Sequence, residues 1–303
     1  MADAIKRSNK NSITELLRFL FSLWVLYFHG YVPYKNDYFS GGSLAVEFFF
    51  VLTGMFLVRS MKKYLSMPVK DGLKTFIYHR FKTLSVPFLI GEIFVLYYSF
   101  VFDFSYNFLF GFLWYIRDLF IALTVFYLLR RFIKNDILFY SLAAAASAAV
   151  FVLRWPGGAF RSVACIPLGM LVALIRPLSV KLKGQANKNL SNLIALIGFI
   201  IVGTLSLYII ILSQKTSLQE YLLVILGYPG LLYFANNIKF NSKLLNWLGS
   251  LSFPIYSFQC IIRVIDAYGI SDSTLHFILL SAFVLTFSLI MHLIDKKKSK
   301  VII

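Results

Sequence analysis

Apolar residues are gathered into long runs along this chain, and polar residues stand mostly between the runs. Each run is long enough, or nearly so, to cross the roughly 30 Å of bilayer hydrocarbon as a helix. Ten runs can be counted, at residues 13–32, 42–58, 84–102, 109–129, 137–153, 159–175, 190–212, 220–235, 244–267 and 274–294. The pattern predicts an all-α fold, a polytopic transmembrane helical bundle of about ten spans that forms one domain over residues 1–303. Because Gly227 and Pro229 interrupt the short eighth run, a broken or tilted helix is expected there.

The segments between the runs differ in their basic residues. Lys and Arg number 21 in alternate segments and three in the remaining loops. Cytoplasmic loops carry the positive excess in membrane proteins, so both termini are predicted to be cytoplasmic. Residues 76–83, ahead of the third run, are predicted to be interfacial. The basic-rich segments are residues 1–12, 59–75, 130–136, 176–189, 236–243 and 295–303.

Composition supports an integral membrane protein surrounded by membrane lipid. Apolar residues make up 59% of the 303 residues, against about 45–50% in soluble domains. The net charge of +17 comes from short clusters between runs, which is typical of loops facing an anionic leaflet and not of nucleic-acid binding. The two cysteines lack the spacing of metal ligands, and no metal ion is expected.

Charged or titratable groups inside a span are costly, so they indicate candidate functional sites. Arg18 and His29 lie eleven residues apart in the first run. Eleven residues turn a helix by about 1100°, which is three turns plus about 20°, and advance it by about 16 Å. Both side chains are therefore expected on one helical face. Arg18 is placed to bind an anion near the cytoplasm, and His29 to move a proton in the outer half.

Glu47 lies in the second run, five residues after Gly42, at a predicted depth close to that of His29. A carboxylate beside a histidine fixes the tautomer of the ring and stabilises its protonated form. We therefore favour a dyad of His29 and Glu47. Two simpler interpretations stay open, in which Glu47 is a protonated, hydrogen-bonded carboxylic acid and His29 is a packing residue.

Two further groups of polar residues lie next to spans. Arg80 and Lys82 adjoin the third run, where they are placed to close over a phosphorylated ligand near Arg18, or simply belong to the positive-inside excess. In the fourth run, aromatic residues precede an adjacent pair of opposite charges. This group is suited to stacking on a sugar or nucleotide, and equally to an aromatic belt with an internal ion pair. Its members are Trp114, Tyr115, Arg117 and Asp118.

Several of these residues fall into a familiar order. Arg18-x10-His29 is followed by VEFFFVLTG, HRFKTLSVP, LWYI and LSFPIY. In order and spacing, this series resembles the acyltransferase-3 family of bacterial integral membrane O-acyltransferases over residues 12–294. The resemblance implies about ten spans with both ends in the cytoplasm, in the bacterial cytoplasmic (inner) membrane. It also implies transfer of an acyl group, usually acetyl from acetyl-CoA, to hydroxyls of glycans or other acceptors at the outer side.

The resemblance carries over residue by residue. Arg18 and His29 match the essential pair of the family, Glu47 its acidic position, Arg80 a basic position before the third span and Trp114 an aromatic in the fourth. Three positions depart from the pattern. Thr53 stands where Ser is usual, Thr83 where a second Arg is common, and Gln259 where a histidine is expected.

These observations lead to a hypothesis for the whole chain, a single transmembrane acyltransferase domain. Arg18, Arg80 and Lys82 hold the acyl-CoA donor substrate at the cytoplasmic side. His29 acts as general base on an acceptor hydroxyl, with Glu47 orienting it. An ordinary histidine pKa of about 6.5 suits this role at neutral pH. Trp114, Tyr115, Arg117 and Tyr256 are the candidates for binding a glycan or lipid-linked sugar acceptor.

Alternatives remain at this point. An acyl-histidine intermediate is as consistent with the residues as direct transfer. A multi-span transporter or flippase without covalent chemistry also uses buried charges and interrupted helices, and a silent relative acting as a membrane partner is a third interpretation. The acyl group, the acceptor and the oligomeric state are not determined by the residues.

Overall fold

The computed structural model describes residues 11–30, 42–101, 114–153, 158–175, 178–181, 186–212, 217–258 and 273–301. Every regular element in these residues is a helix, which agrees with the predicted all-α fold. The helices are α1 Ser12–Gly30, α2 Gly42–Leu65, α3 Val69–Val101, α4 Trp114–Phe132, α5 Asp136–Val152, α6 Gly158–Leu174, α7 Leu178–Lys181, α8 Ala186–Leu212, α9 Ser217–Leu222, α10 Tyr228–Asn237, α11 Lys243–Phe258 and α12 Ser273–Val301.

Each predicted apolar run falls on one of these helices, with α9 and α10 sharing the eighth run and the short α7 as an addition. Three segments of the described chain are long and apolar enough to span a bilayer, namely Leu44–Leu65, Lys188–Ile211 and Leu218–Asn237. These segments support a membrane protein. The count of ten spans and the orientation of the termini stay predictions.

The segment between the second and third apolar runs, residues 59–83, is mostly helical. Helix α2 continues to Leu65 and α3 begins at Val69. The extension is amphipathic, because Met61, Tyr64 and Phe76 are buried among exposed lysines. A buried apolar stripe stabilises α2 and α3 outside the uninterrupted apolar runs. Such a stripe is not found by looking for uninterrupted apolar residues in the sequence.

The eighth run is continuous, and the predicted break is absent from this described segment. Helix α9 passes through a π-helical turn, Leu223–Gly227, into α10. Pro229 has no N–H to donate, and its ring collides with a regular preceding turn. The wider turn accommodates it, with the Tyr228 N–H bonded to the carbonyl of Leu223, five residues earlier.

Helices α2 and α6 cross in direct backbone contact. A Cβ placed on Gly54 would lie 1.9 Å from the carbonyl oxygen of Ile166, and one on Gly169 would lie 1.7 Å from that of Val51. Small residues allow this close approach, on which helix association within a membrane largely depends. The crossing thereby holds the middle of α2 at the centre of the bundle.

Segments far apart in sequence meet at what we call the N-terminal end of the bundle, formed by the first turn of α1 with residues 65–69, 130–136 and 236–243. The Asn11 amide donates to the carbonyls of Ala235 and Ile238, at 2.8 and 3.0 Å. Arg131 donates to the carbonyls of Leu65 and Met67, at 2.7 and 2.9 Å. Arg59 donates to Oδ1 of Asn236 at 3.5 Å and so links the two pairs, and four segments predicted to lie on the same side of the membrane meet at one end.

Candidate active site

Helix α1 presents one continuous face to the bundle interior. The helix is unbroken from Ser12 to Gly30, so Arg18 and His29 share a face as predicted. Glu15, Ser22 and Val25 lie on the same face, and all three are buried. Arg18 and His29 themselves are half-buried. The stripe that joins the two predicted functional groups therefore faces protein.

A cavity of about 270 Å³ lies beside Arg18, among α1, α2, α3, α4 and α11. Its walls are largely apolar, with a small set of polar side chains. These are Arg18, Thr53, Arg80, Tyr115, Ser252 and Tyr256. The cavity thus brings together two predicted donor-binding residues and two predicted acceptor-binding residues. His29 is not part of its lining and lies about 16 Å farther along α1.

Arg18 is held in place by Glu15, which our sequence interpretation missed. The Nη1 group of Arg18 donates to both carboxylate oxygens of Glu15, at 2.9 and 3.1 Å. Glu15 is buried where α1 meets α11, at Gly249. Both hydrogen bonds use Nη1, so within the described part of the chain Nε and Nη2 are available to a ligand in the cavity. The Glu-x-x-Arg spacing, which places the two side chains one helical turn apart, could have predicted this ion pair from the sequence.

Arg80 reaches the cavity from α3. Its Nη2 donates to the Ser60 hydroxyl at 2.9 Å, and its guanidinium lies 5.3 Å from the centre of the Phe76 ring. Among the described residues, no carboxylate pairs with Arg80. Lys82 is exposed and does not line the cavity. Two guanidinium groups therefore line one cavity, and among the described residues only that of Arg18 is paired with a carboxylate, an arrangement suited to phosphate.

Aromatic side chains form part of the cavity wall. The rings of Tyr115 and Tyr256 are 4.9 Å apart, and Thr53 hydrogen-bonds Tyr115. Threonine at position 53 therefore keeps the hydroxyl of the serine usual in the family. The Trp114 ring packs 6.5 Å from the rings of Phe50 and Tyr115, and Trp114 does not line the cavity.

Arg117 takes part in an internal ion pair, one of the two arrangements considered for the fourth span. Its Nη2 lies 2.7 Å from Oδ1 of Asp118, and its Nε donates to the same oxygen at 2.8 Å. Asp118 is buried. Because Arg117 is absent from the cavity lining, its predicted role in binding the acceptor has no support from this cavity.

Glu47 has a partner that the sequence interpretation did not assign. Its carboxylate lies 3.7 Å from Nη1 of Arg161 on α6. His29 packs edge-on against Phe28, with 5.1 Å between ring centres. The dyad of His29 and Glu47 stays a prediction. Gln259 lies outside the described residues, as does the side chain of Thr83.

Comparison with protein families decides the class of the molecule. A family model for an acyltransferase domain, acyltransferase-3, matches residues 12–293, nearly the whole chain. The chain belongs to the acyltransferase-3 family. Curated proteins and solved structures gave no match. Together with the apolar helices, membership makes the acyltransferase-3 protein a membrane acyltransferase, as its motifs indicated.

Proposed function

We propose that this acyltransferase-3 protein is a multi-pass O-acyltransferase of the bacterial inner membrane, with about ten spans and both termini in the cytoplasm. It moves an acyl group, acetyl in the first instance, from cytoplasmic acyl-CoA to a hydroxyl of a cell-surface glycan or its lipid-linked precursor. The observation that carries the proposal is the cavity in which Arg18 and Arg80 converge, next to the buried face of α1 that leads to His29.

In this proposal the donor binds from the N-terminal end of the bundle. Phosphate oxygens of acyl-CoA take the free N–H groups of Arg18 and Arg80, while Glu15 and Ser60 keep the two guanidinium groups oriented. The pantetheine arm then follows the α1 face for the roughly 16 Å to His29. Tyr115 and Tyr256, which the sequence analysis assigned to the acceptor, are proposed here to border the first part of this donor route.

The proposed chemistry takes place at His29. A ring nitrogen accepts the proton of the acceptor hydroxyl while the hydroxyl oxygen attacks the thioester carbonyl. The new ester bond forms as the carbon–sulfur bond breaks, and the CoA thiolate leaves and takes up the proton. Glu47 is proposed to orient the ring of His29, and Arg161 balances the negative charge of Glu47 from the side.

A transporter without covalent chemistry is the competing proposal. Membership of the acyltransferase-3 family favours an enzyme, and the continuous eighth run removes the broken helix that had pointed to a transporter. The two proposals differ in their products, because a transporter leaves the glycan unmodified and consumes no acyl-CoA.

The test uses separate His29→Ala and Arg18→Ala variants. Membranes are incubated with radiolabelled acetyl-CoA, and the surface polysaccharide of the cells is analysed by mass spectrometry. Both variants are expected to insert normally and to lose acetylation, and His29→Ala is expected to retain binding of acetyl-CoA. His79→Ala and Arg59→Ala are matched controls, because both side chains are exposed and lie outside the cavity. Full acetylation by His29→Ala would refute the proposed role of His29 as general base.

A further inference from the structure

Three charged side chains converge at the predicted outer end of the bundle, away from the cavity beside Arg18. Glu47, Arg161 and Glu220 lie in the first two turns of α2, α6 and α9, which are all predicted to run inward from that side. Nη1 of Arg161 lies 3.7 Å from Oε1 of Glu47, and the charge of Glu220 acts on both groups. We call these three residues the outer cluster. None of them lines the cavity.

The ion pair in the outer cluster is open. Arg161 and Glu47 are too far apart for a hydrogen bond, whereas the ion pairs of Arg18 and Arg117 close to 2.9 and 2.7 Å. Within the described residues, the side chains of Arg161, Glu47 and Glu220 make no hydrogen bond. The guanidinium donors and the carboxylate acceptors are therefore all available to a ligand.

The charged groups of the outer cluster are also accessible. The side chain of Arg161 is 35% exposed and that of Glu47 is 15% exposed, so both reach an opening although most of their surface is enclosed. A largely buried carboxylate without a hydrogen bond is costly. A closed ion pair would remove that cost, so stability does not account for the open spacing, and a ligand between the two groups does.

The inner side of the outer cluster carries a further donor. Tyr228 has no exposed surface, and its hydroxyl has no hydrogen-bond partner in the part of the chain that the structure describes. The charges of Glu47 and Glu220 both act on this hydroxyl. Donors and acceptors thus converge without bonding one another, as expected of a site that is organised before its ligand binds.

We propose that the outer cluster binds hydroxyl groups of an uncharged sugar in the acceptor, next to the hydroxyl that reacts. The inference rests on the function proposed above and deepens it by naming the acceptor class. A sugar hydroxyl both donates and accepts. One hydroxyl oxygen, about 2.8 Å from each partner, accepts from Arg161 and donates to Glu47, and a neighbouring hydroxyl bridges Arg161 and Glu220. The second carboxylate oxygen of Glu47 is left for the proposed contact with His29.

The charge of the outer cluster selects against acidic sugars. One cation faces two carboxylates, so no net positive charge is left for a sugar that carries a carboxylate or a phosphate. A like charge beside largely enclosed carboxylates is repelled. Helix α1 ends at the same predicted side, at Gly30, one residue after His29. The sugar is therefore bound at the end of the bundle where the proposed base lies.

Binding is tested on the protein in nanodiscs, without acetyl-CoA, by saturation-transfer NMR. The probes are the methyl glycosides obtained from the cells' own surface polysaccharide by methanolysis, re-N-acetylated, saponified and separated into uncharged and anionic fractions. Wild-type protein is expected to bind an uncharged glycoside saturably, and the anionic fraction at least about tenfold more weakly. Arg161→Lys keeps the charge opposite Glu47 and loses the forked donor, so it should weaken binding of the uncharged glycoside about tenfold.

Glu220→Gln tests the charge selection. Removing one negative charge should raise binding of the anionic fraction about tenfold. Arg59→Lys and Asp71→Asn are matched controls, because both side chains are exposed and lie outside the outer cluster, and they should change neither affinity. No binding by the wild type, equal binding of the two fractions, or wild-type affinities in Arg161→Lys and Glu220→Gln would show that the gap holds water only and overturn the proposal.

Transfer is tested with radiolabelled acetyl-CoA and the polysaccharide freed of its ester groups by mild alkali. Arg161→Lys is expected to raise KM for the polysaccharide about tenfold and to leave KM for acetyl-CoA unchanged, a split that partial unfolding would not produce. Acetyl groups found on acidic sugars of the wild-type product by mass spectrometry would overturn the proposal. If the wild-type protein transfers nothing, the proposed function fails, and the binding experiment still decides whether the outer cluster holds an uncharged sugar.

Discussion

The contact of Gly249 with Glu15 makes the alignment of α1 and α11 sensitive to a single methyl group. A Cβ on Gly249 would lie 2.2 Å from Oε2 of Glu15, 2.5 Å from its Cβ and 2.8 Å from its carbonyl oxygen. The carboxylate can rotate away, but the Cβ and the carbonyl move only with the helix. Restoring ordinary contact of about 3.4 Å requires the helices to separate by about 1 Å, since overpacked interiors relax by backbone shifts.

Gly249→Ala is expected to lower both the stability of the protein and its rate of catalysis. Overpacking of this kind costs about 1–3 kcal/mol. The same shift moves Arg18 on α1 away from Ser252 and Tyr256 on α11, across the cavity in which we place the donor. A misplacement of about 1 Å in a site costs on the order of a hundredfold in rate.

The assay measures initial rates of acetyl transfer against acetyl-CoA concentration, together with thermal unfolding of the purified protein. Gly230→Ala is the matched control, because its Cβ would approach the two methyl groups of the Val202 side chain, at 3.2 and 3.6 Å, and no backbone atom. We expect Gly249→Ala to lower kcat/KM for acetyl-CoA by about a hundredfold, and Gly230→Ala to leave it near wild type. Wild-type kinetics in Gly249→Ala would refute the argument that this crossing positions Arg18.

Two further predictions concern residues that act through their neighbours. Glu15→Gln removes the charge that orients Arg18, so KM for acetyl-CoA should rise about tenfold while kcat changes little. Glu15→Asp should recover part of this loss. An unchanged KM in Glu15→Gln would argue against the orienting role. Gly169→Ala forces a Cβ against the Val51 carbonyl, so the yield of folded protein and the Tm should both fall. Gel filtration in detergent measures the yield, and thermal unfolding measures the Tm. Wild-type values of both would mean that α2 and α6 can separate freely.

Much of the helical architecture was predictable from the order of residues. Long apolar runs form helices in a bilayer because every backbone N–H and C=O group must be paired within the segment. The eleven-residue spacing of Arg18 and His29 needed only the periodicity of a helix to place both on one face. The motifs around Glu47 and Arg80 were sufficient to identify the family. The family model then matched residues 12–293.

The partners of the charged groups were not predictable in the same way. Glu15 was within one turn of Arg18 and detectable by its spacing, yet its burial depends on Gly249, more than two hundred residues away in sequence. Arg161 meets Glu47 only because α6 crosses α2 through mutually close glycines. The extension of α2 to Leu65 depends on a buried stripe, and that stripe exists only once α3 packs against it.

Local rules therefore account for which segments are helical, for the class of protein and for the functional face of α1, since these depend on periodicity and on the cost of exposing polar groups to lipid. The cavity beside Arg18 and the pairing of Glu47 with Arg161 exist only in the packed molecule. Packing chooses among many possible helix neighbours through contacts such as Gly249 with Glu15, and these contacts link residues whose separation along the chain carries no signal.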